Sequence, residues 1–240
     1  MKRSKGYKHA LEQFDTKKNY SLSEATSITK KISFAKFDET LTVDVVLGVD
    51  PRHADQMVRG TVALPHGTGK ETRVVAIVAP DKEQLAKDAG ATFVGGQELV
   101  DKIKGGWLDY EVVVTTPDMM RFVGQLGKIL GPRGMMPNPK VGTVTPNIEV
   151  AIKEIIAGRL EYKVDKYGIV HLPFGKRSFN EKQLFENVAV LVNVLLKAKP
   201  ASAKGIYVKS VTLSPTMGPG VKVDTTSLKT EVDSVNALVS

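Results

Sequence analysis

The chain predicts two architectures in one polypeptide: a discontinuous α+β domain with an antiparallel sheet and helices, interrupted by an α/β Rossmann-like inserted domain with a mostly parallel sheet. Three observations lead there. Strands in the first and last thirds alternate apolar and polar residues, as a sheet buried on one face requires. Strands in the middle are short, apolar throughout and alternate with helices, as in a parallel sheet covered on both faces. Charge divides the same way. Residues 1–66 carry 11 Lys and Arg against 8 Asp and Glu, and 160–240 carry 11 against 7, whereas 67–159 carry 12 against 11. The flanking segments therefore hold +7 of the net +8. The expected boundaries are 1–66 with 160–240 for the discontinuous domain and 67–159 for the insert, with a hinge at Pro65, Gly67 and Gly158, where the chain crosses between them.

Residues 4–18 predict a frayed first helix behind a basic arm of Lys2, Arg3, Lys5 and Lys8. Ser21 and Glu24 stand at capping-box spacing. The helix they open carries Ala25, Ile28 and Ile32 on one face and ends near Phe34. A connector, Lys36 to Thr40, leads to a strand in which Leu41, Val43, Val45, Leu47 and Val49 alternate with Thr42, Asp44 and Gly48 and which stops at Asp50-Pro51. Pro65 to Gly69 (PHGTG) marks a turn or hinge. In the middle block, 73–79 is a strand buried on both faces and 80–89 a helix opened by Pro80 and closed by Gly90. A short strand at 91–94, a helix at 97–104 and a strand at 111–115 follow.

A helix carrying Met120, Phe122, Val123, Leu126, Ile129 and Leu130 ends at Gly131-Pro132, with the glycine placed to take a left-handed cap. Prolines and glycines at 132, 134, 137, 139, 142 and 146 then exclude a helix or central strand. Leu130, Met135, Met136, Val141 and Val144 are apolar, however, so the stretch is a packed loop with a fixed path. A helix from Ile148 to Ala157 stops at Gly158. Residues 160–164 and 169–172 flank Asp165-Lys166-Tyr167-Gly168 as a hairpin with glycine at the turn. Ser178 to Glu181 has capping-box spacing and opens a helix to about Lys199, with Leu184, Val188, Leu191, Val192 and Leu195 on one face and Pro200 after it. Residues 205–213 alternate again through Ile206, Val208, Val211 and Leu213. A loop from Ser214 to Gly220 and a short strand at 221–223 follow, and the tail from Asp224 is polar and expected to be loose.

Composition narrows the function classes. At 42% hydrophobic and 25% charged the chain suits a globular protein with a substantial core. No run reaches the roughly 18 apolar residues of a membrane helix, and the start lacks a secretory h-region. The absence of cysteine fits a reducing compartment. A net charge of +8 favours a polyanionic partner. The four histidines, His9, His53, His66 and His171, share no metal-ligand spacing. Gly69-Lys70 looks like the end of a phosphate loop, but that loop needs glycine where Leu64 stands and Ser or Thr where Glu71 stands. Gly127-Lys128 fails in the same way, at Phe122 and Ile129. Nucleophile elbows and zinc-protease motifs are absent, so no catalytic residue, metal site or cofactor is expected. The alternatives are an enzyme using the α/β insert for a phosphorylated ligand, and a charge-driven, non-specific nucleic-acid binder. Two loops stand out as binding candidates. Phe37 could stack on a base, and Thr216-Met217-Gly218 could present a hydroxyl and bare backbone to ribose or phosphate.

The motifs FAKFDET (34–40), VRGTVALPHGTGK (58–70), GKILGPRGMMPNPKVGTV (127–144), GRLEYKVDKYGIVH (158–171) and SPTMGPGVKV (214–223) span nearly the whole chain and closely resemble the bacterial branch of the universal L1 family of large-subunit ribosomal proteins, which form a mobile side stalk. The resemblance implies a discontinuous RNA-binding domain with an insert, a cytoplasmic location on the ribosome, and binding of large-subunit ribosomal RNA. It also implies that stalk movement assists release of exit-site tRNA, and that the protein represses translation of its own operon mRNA. By motif, the implied RNA contacts are Lys36, Phe37 and Thr40 on one side and Lys166, Gly168, His171, Ser210, Thr216, Met217 and Gly218 on the other. The tail after Asp224 runs past the family's expected end.

Overall fold

The computed structural model describes residues 3–228, 230 and 231; Lys2 of the basic arm and 232–240 of the tail lie outside them. In chain order the elements are α1 (Lys5–Glu12), α2 (Leu22–Lys31), β1 (Thr40–Leu47), β2 (Arg59–Ala63), β3 (Val74–Ile77), α3 (Glu83–Asp88), β4 (Phe93–Gly95), α4 (Gln97–Lys104), β5 (Val112–Thr115), α5 (Met120–Val123), α6 (Gly127–Leu130), α7 (Ile148–Ile156), β6 (Arg159–Lys163), β7 (Ile169–Lys176), α8 (Glu181–Lys197), β8 (Val208–Pro215) and β9 (Val221–Val223). They fall into two compact units, Met1–Gly69 with Glu161–Ser240, and Lys70–Leu160.

The first unit is built on an antiparallel sheet in the order β7-β1-β8-β9. Along β1 the odd positions Leu41, Val43, Val45 and Leu47 are buried and the even ones are half-buried. Val170, Leu172 and Phe174 of β7 and Val211 and Leu213 of β8 complete the buried side. There α2 and α8 cover the sheet, α8 through the five apolar positions its period selects. Ser21 Oγ accepts from the Glu24 N–H while the Glu24 carboxylate accepts from the Ser21 N–H, so the expected capping box forms.

The second unit has a parallel sheet in the order β4-β3-β5. All four β3 residues are buried because each face meets helices. Val74 and Ala76 pack with Ala86, Ile148, Ile152 and Ile155 from α3 and α7. Val75 and Ile77 pack with Val100, Ile103, Val123, Leu126 and Leu130 from α4, α5, α6 and the turn joining the last two. The proline- and glycine-rich loop follows a fixed path: Met135 and Met136 pack on the second cluster, and the loop bonds β5 through Thr115 N–H to Thr143 O and Thr145 N–H to Thr115 O.

Several local expectations change. The turn at 165–168 forms, with Gly168 at φ 81° and Asp165 N–H donating to Ile169 O, but its flanking strands part company. β7 joins β1, while β6 pairs with β2, a strand whose broken alternation the sequence concealed. Ser178 does not cap α8. Asp38 takes its N–H and hydroxyl, and Asn180 becomes the N-cap, its N–H donating to Gln183 Oε1. Gly131 stays right-handed at φ −58°, and Gly134 at φ 71° makes the reversal instead. β8 starts three residues late, leaving Ile206 exposed. The first part of the tail is docked: Leu228 is buried, Asp224 N–H donates to Tyr20 O, and Glu231 Oε2 accepts from Leu22 N–H at the start of α2.

Candidate nucleic-acid interface

The side of the first sheet opposite α2 and α8 presents short polar groups. The pleat that buries Leu41, Val43 and Val45 sends Thr42 and Asp44 outward. Register then sets Thr42 against Ser214, Asp44 between His171 and Thr212, and Val46 against Ser210. These groups bond one another. His171 Nδ1 lies 2.6 Å from Asp44 Oδ1, Ser214 Oγ donates to Asp44 Oδ2 at 3.4 Å, and the Thr42 and Ser214 hydroxyls are 3.0 Å apart. The carboxylate in the middle of the face is thus held by a ring nitrogen and a hydroxyl.

At one end of this face the two candidate loops meet over a buried acid. Glu39 is fully buried; its Oε1 accepts from Ala35 N–H at 2.6 Å and its Oε2 from Met217 N–H at 3.1 Å. One carboxylate therefore ties residues 35–38 to residues 215–218. Arg177 adds to the tie from the β7–α8 turn, donating its N–H to Glu39 O and its guanidinium to Ala35 O. The side chains this leaves outside are Phe37, 52% exposed, and Met217, 53% exposed, so neither is a core residue. Thr216 donates both its N–H and its hydroxyl to Thr40 O, at 3.1 and 2.9 Å, so the lone pairs of Oγ1 face outward as acceptors. A Cβ on Gly218 would come within 2.5 Å of the Pro215 ring, so the turn admits no larger residue. Lys36 is exposed beside Phe37.

At the far end, about 20 Å along the strands at roughly 3.3 Å per residue, stand Ser210, Gly168 and Lys166. Gly168 O accepts from Leu47 N–H, and a Cβ there would press on Leu47 O and Val49 O, a second reason for glycine besides its positive φ. The neighbouring Asp165 accepts from the Ile169 and Tyr167 N–H groups. The Ile169 N–H, then the Tyr167 N–H and the His171 ring, hold its carboxyl below the usual range.

The ten candidate residues thus divide into a cluster at one end (Lys36, Phe37, Thr40, Thr216, Met217, Gly218), His171 on the face, and a cluster at the other end (Ser210, Gly168, Lys166). Thr42, Asp44, Thr212 and Ser214 share their face and were missed, although the alternation read along these strands sets them opposite the buried positions. Nothing in FDET signals that Glu39 is buried. At the expected hinge, buried Asn187 of α8 accepts from His66 N–H at 3.2 Å and donates to Gly67 O at 3.0 Å and Phe174 O at 2.9 Å. Gly67 and Gly158 both adopt positive φ, 64° and 106°, and Pro65 is exposed. Among the described residues no group of three His, Cys, Asp or Glu side chains is placed to hold a metal ion, and no helix is long and apolar enough to cross a membrane.

The model of the Ribosomal protein L1p/L10e family matches residues 29–219. A protein named Large ribosomal subunit protein uL1 from Solibacter usitatus (strain Ellin6076) is 54% identical over 235 residues, covering 98% of this chain and 99% of that protein. A protein of the same name from Nocardioides sp. (strain ATCC BAA-499 / JS614) is 55% identical over 224 residues, 93% of each.

Proposed function

The chain belongs to the Ribosomal protein L1p/L10e family, and from that premise we propose that it is a structural constituent of the large ribosomal subunit that grips folded ribosomal RNA with the polar face and the paired loops of its first unit. The observation that carries this reading is the Glu39 tie, which sets Phe37, Met217 and the acceptor face of Thr216 side by side at the end of a hydroxyl-lined sheet. That surface suits the shallow minor groove of A-form RNA, where 2′-hydroxyls donate and phosphates accept, and the excess of lysine over acid supplies counterion release.

In this proposal the RNA-binding domain is the discontinuous one, 1–66 with 160–240, and 67–159 is the insert; the compact units at 1–69 with 161–240 and 70–160 support it. Pro65, Gly67 and Gly158 mark the crossings. Asn187 holds the first crossing as far as Gly67. Carried over from the family, the protein works in the cytoplasm on the ribosome, its stalk movement assists release of exit-site tRNA, and it represses its own operon mRNA. No catalytic role is assigned. The test is competition binding. A ribosomal stalk RNA fragment should displace labelled RNA far more effectively than unrelated duplex RNA of equal length, and equal displacement by both would reject the proposal.

A further inference from the structure

A concave surface lies beyond the far end of the polar face. It is a cleft of about 700 Å³ whose lining includes Pro51, Arg52, Met57, Lys163, Lys166 and Tyr167, within the size range of small-ligand sites. Three cations face it. The Arg52 and Lys163 side chains form none of the ion pairs found among the described residues, and Lys166 Nζ sits over the Tyr167 ring at 5.1 Å. Tyr167 is 72% exposed and Met57 38% exposed, an unusual outlay of apolar area on a charged surface. The acid in the wall, Asp165, turns its Oδ1 to the Tyr167 and Ile169 N–H groups, and its Oδ2 lies 3.8 Å from the His171 ring.

Cations arranged around an exposed ring and a polarisable thioether match one ligand chemistry, a flat base joined to a phosphate. A duplex offers no free base to such a ring, whereas an unpaired nucleotide does. We infer that this cleft holds an unpaired nucleotide of the bound RNA, its base stacked on Tyr167 against Met57 and its flanking phosphates met by Arg52 and Lys163. The inference rests on the RNA-binding reading above and adds to it a single-stranded contact next to the shape-reading face.

The test uses the full chain and two versions of one stalk RNA fragment, one with an unpaired 2-aminopurine placed beside the duplex and one with that position paired. Wild-type protein should change the 2-aminopurine fluorescence, and Tyr167→Ala should abolish the change and weaken binding of the unpaired version about five- to a hundredfold. Tyr167→Phe should retain both. Binding of the paired version should be the same for Tyr167→Ala and wild type. Arg52→Ala with Lys163→Ala should weaken the unpaired version and flatten its salt dependence. All of these side chains are exposed, and unchanged melting curves would establish that the variants fold. Retained affinity of Tyr167→Ala for the unpaired RNA would overturn the cleft while leaving the RNA-binding reading intact. Failure of wild type to prefer either RNA over unrelated duplex would overturn that reading itself.

Discussion

Replacing Glu39 with Gln separates a structural role for this acid from a purely electrostatic one. The native carboxylate accepts two N–H groups, from Ala35 at 2.6 Å and Met217 at 3.1 Å, with the side chain fully buried. A carboxamide has one oxygen, so it can satisfy one of them and turns its own NH₂ on the other. Charge-assisted bonds of this kind contribute about 1.5–3 kcal/mol each, and a stranded buried donor costs about 1–3 kcal/mol. The first unit should therefore lose about 2–3 kcal/mol. At a typical slope near 2 kcal/mol per M urea, its unfolding midpoint should fall by about 1 M. The effect on RNA is the sharper test because two causes have opposite signs. Removing a negative charge next to a polyanion should by itself strengthen binding. Loosening the 35–38 and 215–218 loops should weaken it, about tenfold if binding must restore about 1.4 kcal/mol of lost order. Fluorescence-anisotropy titration with a stalk RNA fragment reads the balance. Affinity equal to or above that of wild type, or an unmoved urea midpoint, would refute the claim that Glu39 organises the site.

Other expectations follow from the same geometry. Thr216→Val removes the outward acceptor while the Thr216 N–H still holds Thr40 O, so RNA binding should weaken by about 1–3 kcal/mol with little change in melting temperature; unchanged affinity in filter binding would exclude the contact. A protein in which 70–160 is replaced by a short linker should keep most of its RNA affinity across a salt series, and a folded product that does not bind would contradict the assignment of the interface. Asn187→Leu strands His66 N–H, Gly67 O and Phe174 O together and should cost about 2–4 kcal/mol by urea denaturation. In the second unit, the Arg73 guanidinium holds Glu111 down at about 2 against an ordinary 4.5. A carboxylate lowered in the folded state gives stability that is complete above about pH 4.5 and is lost as pH falls towards 2. Trp107, the chain's sole tryptophan, packs in that unit and reports its melting, and Glu111→Gln should flatten the acid limb of that curve.

What could be read from sequence was whatever a single element decides. The alternation of β1, the apolar stripe of α8, the Ser21–Glu24 box and the apolar β3 each follow from residues that are neighbours along one helix or strand. Choices between distant partners were hidden. Ser178 has the spacing of a cap, yet an aspartate 140 residues earlier takes it. The turn at 165–168 looks like a hairpin, yet each arm finds a better neighbour elsewhere in the chain. The same limit applied to the site. Thr40 and Thr216 were reachable only through the motifs FAKFDET and SPTMGPGVKV that carry the family resemblance. Glu39 was not, because its burial depends on Ala35 and Met217, two amides that only the finished fold brings to one carboxylate.

The central position of β1 also orders events during synthesis. This strand emerges early, but its ladder partners lie 123 or more residues downstream, as in the pairs Val46 with Ile169 and Leu41 with Pro215. A nascent chain must therefore shelter Leu41, Val43 and Val45 without a sheet, and the proposed RNA grip is created only by the last strands to be translated. If the proposed RNA-binding role holds, half-made copies would be inert towards RNA, and only finished molecules could compete for its sites.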